Sequence, residues 1–167
     1  MKRDAWLKTY DEEMSLTRRC LERVPEERFD WRPHPKSPTL GWLANFCAQL
    51  ISWTRMTLET DGLDFGDPAN PKRPEELGTR AAVLESFDRN VAEGRAALAA
   101  ATDERLAANW TLRNGEQVMV SSPREDVLRR WVLHHAIHHR AQLGVYLRLL
   151  DVPVPAIYGP SADEVGW

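Results

Sequence analysis

Trp131-Val132-Leu133-His134-His135-Ala136-Ile137-His138-His139-Arg140-Ala141-Gln142 is the stretch on which the reading of the whole chain turns. It holds four of the five histidines and no Pro or Gly. On a helix, residues four apart share a face, so His135 pairs with His139, and His134 with His138. An apolar stripe through Leu128, Trp131, His135, Gln142, Tyr146 and Leu149 turns His135 and His139 toward the interior or its mouth. Ser122-Pro123-Arg124-Glu125 reads as a capping box with proline at the first helical position. The helix it opens is predicted to run to about Leu150, where Asp151-Val152-Pro153 ends it.

The same period recurs upstream. Leu7, Tyr10, Met14, Thr17, Leu21 and Val24 form the stripe of a first helix that stops at Pro25. Pro33, Pro35 and Pro38 exclude regular helix from the next segment, and Ser37-Pro38 reads as the N-cap of a second helix over about 39–60. Its stripe is Leu40, Leu43, Cys47, Leu50, Thr54 and Thr57, widened by Trp42, Phe46 and Trp53. Leu63 to Gly78, with Pro68, Pro71 and Pro74, is predicted to be an ordered surface loop. A third helix over about 79–102 carries Leu84, Phe87, Val91, Gly94 and Leu98. Between it and the last helix, Asn114-Gly115 sits among residues of strand character, which predicts a small β-hairpin. The tail from Pro155 is expected to pack on the body through Ile157, Tyr158 and Trp167. Four helices with one apolar stripe each are buried most simply as a four-helix bundle, so the expectation is an all-α single domain over 1–167 with one hairpin.

Composition narrows the function. The 167 residues carry 22 Lys and Arg against 25 Asp and Glu, for a net charge of −3, which lacks the basic footprint of a nucleic-acid binder. Two cysteines, Cys20 and Cys47, do not make a disulfide scaffold and point to a reducing compartment. The N-terminal residues form no signal peptide, and no stretch has the ~20 apolar residues of a membrane span, so the expected location is cytoplasmic.

Two imidazoles one turn apart can chelate a divalent cation, but a catalytic zinc-type site needs a third protein ligand. The spacing alone fits equally well a pair of hydrogen-bonded histidines at the edge of a core. Ala136 stands where an HExxH metalloprotease has its glutamate, which excludes that chemistry.

The histidine-rich stretch is joined by Trp31-Arg32-Pro33-His34-Pro35-Lys36-Ser37, by Thr39-Leu40-Gly41-Trp42-Leu43-Ala44 and by the tail from Val152 to Glu164. Together these segments resemble the DinB/YfiT-like family of damage-inducible four-helix-bundle proteins, nearly end to end. The resemblance implies a metal-binding bundle in stress response, usually dimeric, with one histidine ligand on the second helix and an HxxxH pair on the last. Some relatives are thiol-dependent transferases or isomerases that use low-molecular-weight thiols; many have no assigned activity. Carried across, the pair falls on His135 and His139, and the second-helix ligand falls on Phe46.

Phenylalanine has no lone pair, and its ring disfavours a desolvated dication. The expected site is therefore a pocket around His135 and His139 in which a divalent metal (Zn, Ni or Fe) is weakened or lost. Cys47 would be a strong substitute ligand, but adjacent helical residues point ~100° apart, so it would have to be turned inward. Asn45 and Gln49 are poorer donors, and His34 lies in a Pro-rich loop. Trp42, Gln142 and Tyr146 are expected to line the pocket with Phe46 and Cys47, and Cys20 to be a small core residue. Arg140 and Arg148 read as solvated surface charges. Three functions follow: a DinB-like protein with a lost metal site, a metal-dependent hydrolase or thiol transferase, and a non-catalytic small-molecule-binding homodimer.

Overall fold

The computed structural model describes residues 2–70 and 73–164. Helix α1 spans Lys2–Leu21 and is followed by a 3-10 turn at Glu26–Arg28. The second helical pass is broken into α2, Leu40–Gln49, a 3-10 turn at Leu50–Ser52, and α3, Trp53–Glu59. Helix α4 spans Arg80–Ala100, and a short α5 covers Asp103–Ala107. The last pass consists of α6, Arg124–Val127, a π segment at Leu128–His134, and α7, His135–Leu149.

The stripes read from the sequence are the surfaces that pack. Tyr10, Met14 and Leu21 of the first helix and Val24 just beyond it are buried, as are Leu40, Leu43, Cys47, Leu50, Thr54 and Thr57 of the second pass. Fully burying one such Leu contributes about 1.5–3 kcal/mol. Helix α1 packs on α4 and α7, α2 packs on α4 and α7, and α3 packs on α4 and the π segment. Among the described residues no helix is long and apolar enough to cross a membrane.

The protein is mostly helical but not all-α, because it carries a three-stranded sheet in the order β1-β2-β3. Strands β2, Asn109–Asn114, and β3, Gln117–Pro123, form the expected hairpin. Its two-residue turn is Gly115-Glu116 and not Asn114-Gly115, since Asn114 pairs with Gln117. Gly115 has φ +61° and Glu116 does not have positive φ, so the turn needs glycine at its first central position only. Strand β1, Gly62–Asp64, lies within the stretch expected to be loop and pairs in parallel with β2. Its register was hidden because three residues are too few to show alternation. The Asp64 carboxylate accepts from the backbone of Gly66 at 2.7 Å and of Gly115 at 2.8 Å, tying that stretch to the hairpin turn. Pro71, predicted to lie in the same loop, is outside the described residues, as is Trp167 in the tail.

Both predicted caps shift. Thr39, not Ser37, is the N-cap of α2, its hydroxyl accepting from the Trp42 backbone at 3.1 Å. Pro123 precedes α6 with no side-chain cap, so the capping box at Ser122 does not form. Leu149 also departs from expectation, being 57% exposed. The buried stripe of the last pass is Leu128, Val132, Ala136, Arg140, Leu143 and Leu147. The π segment bonds with a wider turn than an α-helix, which changes the phase between Leu128 and the residues beyond it.

Candidate functional site

His135 opens α7 directly after the π segment. Its backbone N–H bonds the Val132 carbonyl. One turn on, His139 stands with its ring centroid 4.7 Å from that of His135. Both rings are half-buried on the edge of α7 that faces α2. His139 Nδ1 lies 2.8 Å from Gln142 Oε1. A carboxamide oxygen only accepts, so the proton is assigned to Nδ1, which leaves the Nε2 lone pair of His139 as an acceptor. Burial holds both imidazoles below their ordinary value of 6.5, against the opposing effects of the Trp131 and Gln142 hydrogen bonds. Both are therefore neutral at neutral pH.

The third corner is occupied by carbon. The Phe46 ring lies 4.6 Å from His139 and 5.2 Å from His135, edge-on to each. Trp42 stacks on its other side at 4.9 Å with the planes 13° apart, and also meets His139 edge-on at 6.4 Å. Among the described residues no His, Cys, Asp or Glu side chain completes a three-donor metal group with the pair. The residues present do not fit a three-histidine centre.

The alternative donors are committed elsewhere. Cys47 is wholly buried, and burial pushes its thiol up to about 12, so it is protonated at neutral pH. Asn45 exchanges hydrogen bonds with Leu77, its Nδ2 donating to the carbonyl at 3.1 Å and its Oδ1 accepting from the N–H at 3.0 Å. Gln49 does the same with Glu75 at 2.8 Å in each direction. These two amides fasten the segment before α4 onto α2. His34 is exposed, and its Nδ1 accepts from the Lys36 backbone.

Tyr146, expected beside the histidines, instead meets Trp31 edge-on at 5.5 Å and donates to the Pro38 carbonyl at 3.2 Å. It anchors the Pro-rich loop. A cleft of about 250 Å³ lies beside His135, lined by Arg130, Trp131, His134 and His135, and His139 is not part of its lining. Thus Trp42, Phe46, His135, His139 and Gln142 come together, whereas Cys47 and Tyr146 do not join them.

A buried polar network on the far side of α7 was not anticipated. Arg140 is only 3% exposed and lies 2.8 Å from the Glu13 carboxylate, a correction to its reading as a solvated charge. Its other nitrogen donates to the Tyr158 hydroxyl at 2.6 Å, and that hydroxyl donates in turn to Glu13 at 2.7 Å. Neither residue lies on the stripes read from the sequence, and a buried charge of this kind has to be paired. Arg148 is exposed as expected and pairs with Asp163.

Residues 9–143 match the family model described as the DinB superfamily. The chain belongs to the DinB superfamily. It is 23% identical to the uncharacterized protein YrdA of Bacillus subtilis (strain 168), over 96% of this chain and 90% of that protein. Its fold is similar to that of a DinB-like protein from Bacillus cereus, with a TM-score of 0.71 at 19% identity, covering 93% of this chain and 97% of that one. The DinB-like protein YjoA from Bacillus subtilis matches with a TM-score of 0.69 at 13% identity, over 93% and 98% of the two chains.

Proposed function

We propose that this protein is a DinB-superfamily member that has lost the three-histidine metal centre and uses His135 and His139 as a neutral imidazole pair to bind a small molecule. The bundle expected from the sequence belongs to this reading, with α1, α2 and α3, α4, and the π segment with α7 as its four passes. The observation that carries it is the Phe46 ring, edge-on to both imidazoles where the family resemblance puts a ligand. A ring offers no electron pair to a cation and raises the cost of desolvating one. What the pair offers instead is the Nε2 lone pair of His139 beside the aromatic surfaces of Phe46 and Trp42. That combination suits a flat molecule with one O–H or N–H donor, and a neutral imidazole there also has the acid-base character to accept its proton.

Metal analysis of untagged protein purified without chelators tests the first half. The wild type is expected to hold far less than one divalent cation per chain. Phe46→His is expected to take up one, and Phe46→His/His139→Ala to lose it again. A wild-type protein with one tightly held cation, released by His135→Ala or His139→Ala, overturns the reading. Titration with phenol or indole, followed through the histidine ring proton resonances, tests the second half. Shifts at His135 and His139 are expected; none at millimolar probe rejects the binding role.

A further inference from the structure

A cavity of about 500 Å³ lies on the side of α7 opposite the histidine pair, between that helix and the C-terminal segment. This is the size of a small-molecule pocket. Ile137, Val145, Val154 and Ile157 give it apolar walls, while Ala141 and Gly144 keep the helix surface low. Among the described residues, the charged side chains that line it are Arg140 and Arg148, and no carboxylate does. Their counter-ions, Glu13 and Asp163, stand outside the lining. Arg148 is half exposed and directs two nitrogens to Asp163, leaving part of its five-donor fork for another anion.

The rim carries apolar surface that no described residue covers. Val145 is 58% exposed and Tyr158 is 65% exposed, although the Tyr158 hydroxyl is tied down by Arg140 and Glu13. The tether holds the ring face out in water beside the cavity. A second copy is a poor occupant, because a twofold contact sets the same patch against itself and here brings arginines together.

We propose that this cavity binds an amphipathic carboxylate, with its head on Arg148 and its aliphatic body along Val145, Ile157 and the Tyr158 ring. The site is separate from the histidine pair, so it stands or falls independently of the function proposed above.

Calorimetric titration of the full chain with decanoate, and with decanol as its neutral match, tests it. One decanoate per chain is expected, bound about tenfold more tightly than decanol, the ratio one charge-assisted contact supplies. Arg148→Gln should abolish that ratio while leaving decanol binding unchanged. Gly144→Leu should block both ligands; a β-carbon at Gly144 meets Val154 at an ordinary 3.9 Å, and an unchanged melting temperature checks that the variant keeps its fold. Val145→Glu, at an exposed position, should weaken decanoate more than decanol. The proposal is overturned by decanoate affinity equal to that of decanol, by full binding to Gly144→Leu, or by no binding to the wild type at millimolar ligand. A wild-type dimer that Gly144→Leu dissociates would make the groove a self-interface and equally overturn it.

Discussion

The Phe46 ring stands edge-on to the His139 imidazole with centroids 4.6 Å apart, while His139 keeps its Nδ1 on Gln142 at 2.8 Å. An aromatic edge shields the imidazole from water without offering it a counter-charge. The electrostatic consequence can be read in the pH dependence of stability.

Burial depresses both His135 and His139 below 6.5, so the unfolded chain binds more protons than the folded one in the window between the depressed values and 6.5. Stability should therefore be constant above that window and fall as pH drops through it. Thermal melts from pH 8 down to pH 5 check this. The slope should flatten in His135→Gln/His139→Gln, and an unchanged slope in that variant would assign the effect to other groups.

Arg140 and Glu13 form a buried pair that Tyr158 completes. Glu13→Leu strands the guanidinium and should cost about 3–5 kcal/mol by urea denaturation. Glu13→Leu/Arg140→Met removes both charges and should recover most of that loss. Tyr158→Phe deletes only the hydroxyl and should cost about 1 kcal/mol. It should also speed proteolysis within 152–164, because that hydroxyl fastens the segment to α1.

Arg124 is 1% exposed and joins three parts of the chain. Its Nε donates to the Thr57 carbonyl at 2.9 Å, and its two terminal nitrogens reach the carbonyls of Ala108, Asn109 and Thr60 and the Asp61 carboxylate. Lysine cannot reproduce that fork. Arg124→Lys should lower stability by about 2–4 kcal/mol, read as a drop in urea midpoint at unchanged m-value. Asp61→Asn should change little, since Asp61 is 88% exposed.

Gly94 lets α4 approach α1. A β-carbon there would come within 2.4 Å of the Tyr10 hydroxyl and 3.0 Å of Thr54. Gly94→Ala should therefore destabilise by about 1–3 kcal/mol, outweighing the gain of up to ~1 kcal/mol in helix propensity. Tyr10→Phe removes the clashing oxygen, so the double variant should be more stable than Gly94→Ala alone. Differential scanning calorimetry of the three variants decides it.

The helical passes were legible because their stripes are long: Tyr10 to Val24 and Leu40 to Thr57 repeat often enough to fix the period. The Phe46 side of the site was legible too, since the family register alone put a ring beside the histidine pair. What escaped the sequence is short or long-range. Strand β1 has three residues and pairs in parallel with a strand far away in the chain. Tyr146 was placed with the histidines by helical phase, but its hydroxyl is claimed by Pro38, a contact between distant segments. Arg140 and Glu13 each look like a surface charge in isolation, and only their meeting across α1 and α7 makes them core.

The π segment at Leu128–His134 has an implication for the histidines that follow it. A wide turn of this kind accommodates a residue that a regular helix would not. Loss of any one of Arg129, Arg130 or Trp131 would rewind the segment and rotate α7 relative to Leu128. The imidazoles would then swing away from Phe46 with every histidine still in the chain. In this chain, then, the direction in which the HxxxH pair points is set by the length of the helix leading into it as much as by the string itself.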